Sequence, residues 1–382
     1  MDENLPPFGN PPPSTPPPPP LAPPPIISPG SKPARKTGRG WKVFAVFLLI
    51  ALGFSLLSNV RHVGHDIITP GRAVQQGEEP LDEIVLENNR SKNKIAVLEL
   101  EGIIISSPLG RTGRSIVESI QAQLKTAGRD PNVRAVVLKV NSPGGEVLAS
   151  DEIYNSIRDF QTLYKKPVIA SMGSLAASGG YYVSAPCRWI VANEMTLTGS
   201  IGVIMHGYNY RGLMDKIGLR PDVYKSGKHK NMMSGDRRDD EIPDDEREMI
   251  QGLIMETYGK FTNIVASGRS EANRLNKGTG RKLASDWSDY ADGRVVSGKQ
   301  ALEIGLVDEL GNFQKAIDRA EEITHVRNAN LIRYQERFGF GDFFRIFGKT
   351  ETPAPTVKID LGLDFPKLQI GRLYFITPTT LP

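Results

Sequence analysis

The chain is 382 residues long, with a formal net charge of +4, 29 prolines and a single cysteine. The near balance of 47 basic against 43 acidic side chains leaves no electrostatic footprint for a nucleic-acid partner. One cysteine, Cys187, excludes an intramolecular disulfide and a cysteine metal cage, and five histidines leave little for a histidine-rich one, so no cofactor is expected.

Half of the proline falls in residues 1–40, which read as a disordered, partly polyproline II tail. Such a tail is a spacer or a docking arm for a proline-recognising cytoplasmic partner. Val43 to Val60 is an uncharged, apolar run of 18 residues, about 27 Å as a helix and close to the thickness of a bilayer core. A cleaved signal peptide would need a short charged start and a small-x-small site just beyond the run; 40 residues precede this one, so 41–60 is predicted to be an uncleaved transmembrane anchor. Lys32, Arg35, Lys36, Arg39 and Lys42 precede it, which keeps the N-terminus cytoplasmic and exports the rest. Residues 61–92 read as a polar juxtamembrane linker. The folded domain is expected over 93–324, with a C-terminal extension over 325–382 in which Phe338, Phe340, Phe343, Phe344 and Phe347 cluster. Phenylalanine at that density reads either as a loosely packed extension or as a segment that docks on a groove or a neighbouring subunit.

Within the domain, strands and helices alternate. Strands are predicted at Ile95–Leu100, Val133–Val140, Pro167–Met172, Ile190–Ala192 and Ile201–Ile204 from apolar runs closed by glycine or polar residues. Helices are predicted at Ser115–Ala127, Glu146–Leu163, Asp245–Ser267, Lys299–Ile304 and Phe313–Thr324, where apolar residues recur every three or four positions. Strands followed by crossover helices argue for an α/β fold with a mainly parallel sheet.

In such a sheet, chemistry sits beyond the carboxyl ends of the strands. Two of those ends carry glycine-rich sequences, Asn141-Ser142-Pro143-Gly144-Gly145 and Met172–Tyr182. The second is expected to place Ser174 and Ser178 four apart at the start of a helix, where free N–H groups converge. Ser178 could attack a carbonyl whose oxyanion is held by Gly179 and the Gly144–Gly145 turn; a tightly packed turn with hydroxyl caps would leave the same sequence. Ala176 breaks the Gly-x-Ser-x-Gly elbow. A serine needs a base, and the residues leave two routes open. One is a histidine, His206 or His229. The other is a lysine kept neutral by burial, from the run Lys225-Ser226-Gly227-Lys228-His229-Lys230, which otherwise reads as a solvated basic loop. Gly293 to Lys299 matches Walker spacing, but Gln300 stands where a magnesium-binding hydroxyl is required, which argues against a nucleotide site.

Six motifs then occur in one order: Ser142-Pro143-Gly144-Gly145, Met172–Tyr182, Leu197-Thr198-Gly199-Ser200-Ile201-Gly202-Val203, the lysine run, Asp292-Gly293-Arg294-Val295 and Gly305-Leu306-Val307-Asp308-Glu309-Leu310-Gly311. In this order and spacing they resemble the bacterial signal peptide peptidase A (protease IV) family in its short, single-repeat form, over about residues 93–324. The resemblance implies a Clp/crotonase-like fold and a serine endopeptidase with a Ser/Lys dyad. Ser178 would be the nucleophile, Lys230 the general base and Ser200 the residue that orients the lysine. Gly145 and Gly179 would supply the oxyanion N–H groups. It further implies membrane-released signal peptides and other small apolar peptides as substrates, a place on the bacterial cell membrane with the catalytic domain outside the cytoplasm, and a homo-oligomeric ring whose neighbouring subunits complete each active site, which leaves open whether Ser178 and Lys230 pair within one chain or across two. Rival functions are a catalytically inactive scaffold of the same fold and an acyl-CoA-type crotonase enzyme.

Overall fold

The structure is a computed structural model that describes residues 44, 46–50, 52, 81–107, 114–336 and 373–376. The chain divides into two units, Met1–Gln76 and Gly77–Pro382. In the first, residues 44, 46–50 and 52 are helical and carry exposed side chains. The rest of the expected anchor and the proline-rich tail lie outside the described residues. Among the described residues, no helix is long and apolar enough to cross a membrane.

The second unit is an α/β layer fold. In chain order its elements are β1 (Leu81–Glu87), β2 (Lys94–Glu101), α1 (Ile116–Arg129), β3 (Val133–Ser142), β4 (Gly144–Glu146), α2 (Val147–Tyr164), β5 (Val168–Ala177) and α3 (Gly179–Ser184). There follow β6 (Trp189–Ala192), β7 (Leu197–Gly199), β8 (Ile204–Met205), α4 (Arg211–Lys216), α5 (Asp244–Leu275), β9 (Val295–Ser297), α6 (Gly298–Glu303), β10 (Glu309–Leu310), α7 (Phe313–Thr324), β11 (Asn330–Glu336) and β12 (Leu373–Ile376).

The main sheet has nine strands, in the order β1-β11-β2-β3-β5-β6-β10, with β7 on the end of β5 and β9 beside β7. From β11 to β10 every pairing is parallel; β1 and β9 run antiparallel to their neighbours. Alternation along β3 explains why its sequence is apolar throughout. Val136, Leu138 and Val140 join the core under α1, α2 and α3, while Ala135 and Val137 join a second core under α7. Both faces are covered, as parallel sheets require.

Local chemistry sets the helix ends. Ser115 and Glu118 form a reciprocal capping box on α1. Ser297 and Gln300 form another on α6, which gives Gln300 of the Walker-like stretch a structural task.

Four expectations are corrected. Leu81–Glu87, inside the stretch read as linker, is a strand that pairs with β11; its sequence Leu-Asp-Glu-Ile-Val-Leu-Glu has no clean alternation of apolar and polar residues, and most of it is exposed. The sheet extends past residue 324, since β11 lies between β1 and β2. The strand expected at Ile201–Ile204 does not form: residues 201–203 are irregular, β7 ends before them at Gly199 and β8 begins only at Ile204. Ser174 is on β5 rather than on a helix, because the third strand runs to Ala177. The phenylalanine cluster of residues 338–347 lies outside the described residues.

Candidate active site

Strand β5 reaches the carboxyl edge of the sheet between β3 and β7, with Ala176 paired to Ser142 and Thr198, and Ala177 to Gly199. The next residue, Ser178, turns the chain into α3 at φ 54°, ψ −115°. A non-glycine residue there costs about 1–3 kcal/mol and persists only when its surroundings hold it. Here the Ser178 N–H donates to the Gly199 carbonyl at 2.8 Å, and the Ser178 carbonyl accepts from Tyr182 N–H at 2.8 Å. Ser178 is 1% exposed, and although it occupies the N-cap its hydroxyl makes no capping bond. The side chain is thus held in place by its backbone and left without a structural duty.

The glycine turn after β3 lies directly against this point. Gly144 has φ +102°, and a side-chain carbon on it would stand 2.6 Å from Gly179 N and 1.9 Å from the Phe375 carbonyl oxygen. One on Gly179 would stand 3.0 Å from Gly144 Cα and 3.1 Å from Gly145 N. Only glycine lets these backbones approach so closely. Gly179 opens α3, so its N–H has no partner within the helix, and its backbone lies against the turn. Ser178, Gly144, Gly145 and Gly179 therefore converge: a hydroxyl beside convergent N–H groups is the equipment for acyl transfer.

Ser200 follows Gly199, the residue that accepts from Ser178 N–H. It is 3% exposed at φ 51°, and its N–H donates to the Arg294 carbonyl at 2.8 Å. Arg294 is itself gripped by Asp292, which accepts from the Arg294 backbone N–H at 3.1 Å and from its guanidinium at 2.8 and 2.6 Å. Those guanidinium bonds hold the Asp292 carboxyl down to about 2. The Asp-Gly-Arg-Val motif thus serves as the prop for Ser200.

Lys230 is not brought to Ser178 within one chain. It lies exposed on a turn, its N–H donating to the Gly227 carbonyl at 3.2 Å, and among the described residues no hydrogen bond or ion pair joins it to Ser178. Its companions are occupied: Lys225 donates to the Lys228 carbonyl and to Asn231, and Lys228 pairs with Asp245. The segment is tied down behind Lys230. Arg237 pairs at 2.7 Å with Glu246, 1% exposed at the start of α5, and donates to the carbonyls of Asn231 and Glu241. His229 lies 3.6 Å from both Glu246 and Asp245, a carboxylate setting that its own neighbours in sequence did not reveal. His206 is exposed and packs edge-on against Tyr208.

One segment escaped the sequence reading. Strand β12 lies between β4 and β8, antiparallel to both, with Phe375 opposite Gly145 and Ile376 opposite Gly144. The signal was present: Leu373-Tyr-Phe-Ile-Thr377 is a β-branched and aromatic run bounded by Gly371 and Pro378.

Comparison with known proteins decides the family. The profile of peptidase family S49 matches residues 161–327, and that of Clp protease matches 87–196. A putative signal peptide peptidase SppA of Enterococcus faecium is 36% identical over 267 residues, 68% of this chain and 72% of that protein. The chain belongs to peptidase family S49. A putative protease of Synechocystis is 38% identical over 226 residues, 59% of this chain and 73% of that protein. Protease 4 of Haemophilus influenzae is 34% identical over 248 residues, 65% of this chain but only 38% of that longer protein. As a member of the signal peptide peptidase A (protease IV) family, in its short form, the chain is a protease on a Clp-type α/β fold, and the S49 match spans Ser178, Ser200 and Lys230.

Proposed function

We propose that this protein is a membrane-anchored serine endopeptidase that degrades cleaved signal peptides and other small apolar peptides with a Ser178/Lys230 dyad. Ser178 is the nucleophile, and the N–H groups of Gly145 and Gly179 receive the oxyanion. Ser200, beside Ser178, orients the lysine. The observation that carries this reading is Ser178 itself: a buried serine in a strained conformation, its hydroxyl free of capping, against a glycine turn too close for any side chain.

The exposure of Lys230 on one chain, against the burial of Ser178, supports a base supplied by a neighbouring copy in a homo-oligomeric ring. Enclosure at that contact would desolvate the ammonium and favour the neutral amine that takes the serine proton. Exposed apolar side chains between β8 and the lysine turn, among them Tyr208, Leu213, Ile217, Leu219 and Tyr224, supply a surface for that contact. The uncharged run 43–60 and the basic cluster before it support a single-pass anchor in the bacterial cell membrane, with a cytoplasmic N-terminus and an exported catalytic domain. Anchoring concentrates the enzyme where apolar peptides partition.

Ser178→Ala and Lys230→Ala should each abolish hydrolysis of an apolar fluorogenic peptide by the detergent-solubilised full chain. Co-refolding the two inactive variants should restore activity, because a mixed ring contains sites with Ser178 from one chain and Lys230 from the next. Full activity in either single variant would remove the dyad; no recovery on mixing would place both groups in one chain.

A further inference from the structure

We propose that His229 is a positioning residue for Lys230: it clamps the lysine turn to the first turn of α5 through the buried carboxylate of Glu246. The inference rests on Lys230 being the general base and names what fixes the point from which that base is delivered. Lysine carries its ammonium on a flexible four-carbon stem. A base must come within about 3 Å of the serine hydroxyl, so a turn that carries Lys230 to Ser178 needs its own backbone held. Ser200 meets the amine beside Ser178; His229 sets where the stem starts.

The two halves of the clamp are atoms without another hydrogen-bond partner. His229 Nδ1 and Glu246 Oε1 are both buried, neither is hydrogen-bonded among the described residues, and they lie 3.6 Å apart. A movement of about 0.5 Å brings them to hydrogen-bond length, with Nδ1–H donating. Nε2 lies 3.6 Å from Asp245 Oδ2, so the ring stands between two carboxylates. Glu246 is a fixed post. It is 1% exposed, its other oxygen accepts from Arg237 at 2.7 Å, and Arg237 also donates to the Asn231 and Glu241 carbonyls. It is the third residue of α5, whose later turns are rooted in the core by Phe261, Ile264 and Val265 and by the buried pair of Arg269 with Asp308. On the turn itself, the His229 carbonyl accepts from Met232 N–H at 2.9 Å, and Lys230 N–H donates to Gly227. Lys228 reaches the same helix at Asp245. Of three consecutive basic side chains, two are directed to α5, and Lys230 is left exposed with no hydrogen bond or ion pair of its side chain among the described residues.

The test compares His229→Ala, His229→Asn and His229→Gln in the full chain. The asparagine amide nitrogen stands where Nδ1 does, and that of glutamine stands where Nε2 does. Loss of the clamp predicts a kcat for an apolar peptide about tenfold lower or more in His229→Ala, with KM and melting temperature unchanged. His229→Asn should regain most of kcat and His229→Gln should not. Wild-type kcat in His229→Ala overturns the proposal, as does His229→Asn no better than His229→Gln. If His229→Ala does not fold, the comparison of asparagine with glutamine decides. Hydrogen–deuterium exchange over residues 225–233, in the Ser178→Ala background, reads the turn without catalysis: it should quicken in His229→Ala and return to its starting rate in His229→Asn. Quickened exchange with Lys230→Ala still active would sink the dyad but keep the clamp; unchanged exchange with Lys230→Ala inactive would do the reverse.

Discussion

Replacing Asp308 with alanine tests whether the long helix α5 is locked to the sheet by one buried ion pair. Asp308, in the Gly305–Gly311 motif, pairs with Arg269 of α5; their side chains are 1% and 0% exposed. Asp308 also accepts from Ile190 N–H at 2.8 Å and Arg281 N–H at 3.2 Å, and Arg269 donates to the Cys187 carbonyl at 3.3 Å. Removing the carboxylate strands a guanidinium that water cannot reach, along with two backbone donors. Breaking a buried pair from one side costs about 3–5 kcal/mol. At about 2–4 °C per kcal/mol for a domain of this size, the melting temperature should fall by roughly 10 °C. Thermal denaturation by circular dichroism reads it. The comparison is Glu271→Ala, which breaks an exposed pair with Arg274 at 52% and 68% exposure and should cost at most about 1 kcal/mol. A double variant, Asp308→Leu with Arg269→Met, should recover most of the loss, since apolar replacement removes the desolvation penalty as well as the attraction. A loss below about 1 kcal/mol for Asp308→Ala, or a double variant no better than the single one, would refute the reasoning.

Gly144→Ala places a carbon 1.9 Å from a carbonyl oxygen and 2.6 Å from Gly179 N at a left-handed φ, so peptide hydrolysis should fall by about 10²-fold or more, read as kcat against wild type. Asp292→Asn removes the exposed grip on Arg294 and so loosens the carbonyl that holds Ser200; kcat should fall with little change in melting temperature. Because folding lowers the Asp292 carboxyl to about 2, whatever this pair contributes is present above about pH 4 and is lost only as pH falls toward 2. Titration of the wild type should therefore show no Asp292-linked transition between pH 5 and 8. Burial pushes the Cys187 thiol up to about 12, so iodoacetamide at pH 8 should leave the native protein unmodified and add one label after denaturation, read by mass spectrometry.

Much of the scaffold was legible because periodicity and punctuation act locally. The helix at Phe313–Thr324 has the bounds its sequence pattern predicts, and β2, β3 and β6 lie within two residues of theirs. Ser178, Gly145 and Gly179 were legible for a related reason. A glycine turn and a small-residue strand end have few uses other than close backbone approach, and both lie at carboxyl ends of parallel strands. The role of Asp292 was not legible, since the residue it grips, Arg294, holds through its carbonyl the N–H of Ser200, almost a hundred residues earlier in the chain.

The sequence by itself determined the main alternating strands and helices of the layer fold, the serine that follows β5, and that the chain belongs with S49 peptidases. Those are properties of short segments and ordered motifs, and they survive without knowing what packs on what. Only the tertiary structure decided that β1 and β11 extend the main sheet, that Asp308 neutralises Arg269, and that Leu373–Ile376 lies over Gly144–Gly145. Each is a pairing of residues far apart in sequence. Such pairings form only where burial and main-chain hydrogen bonding outweigh the entropy of closing a long loop, and no local pattern records where that balance falls.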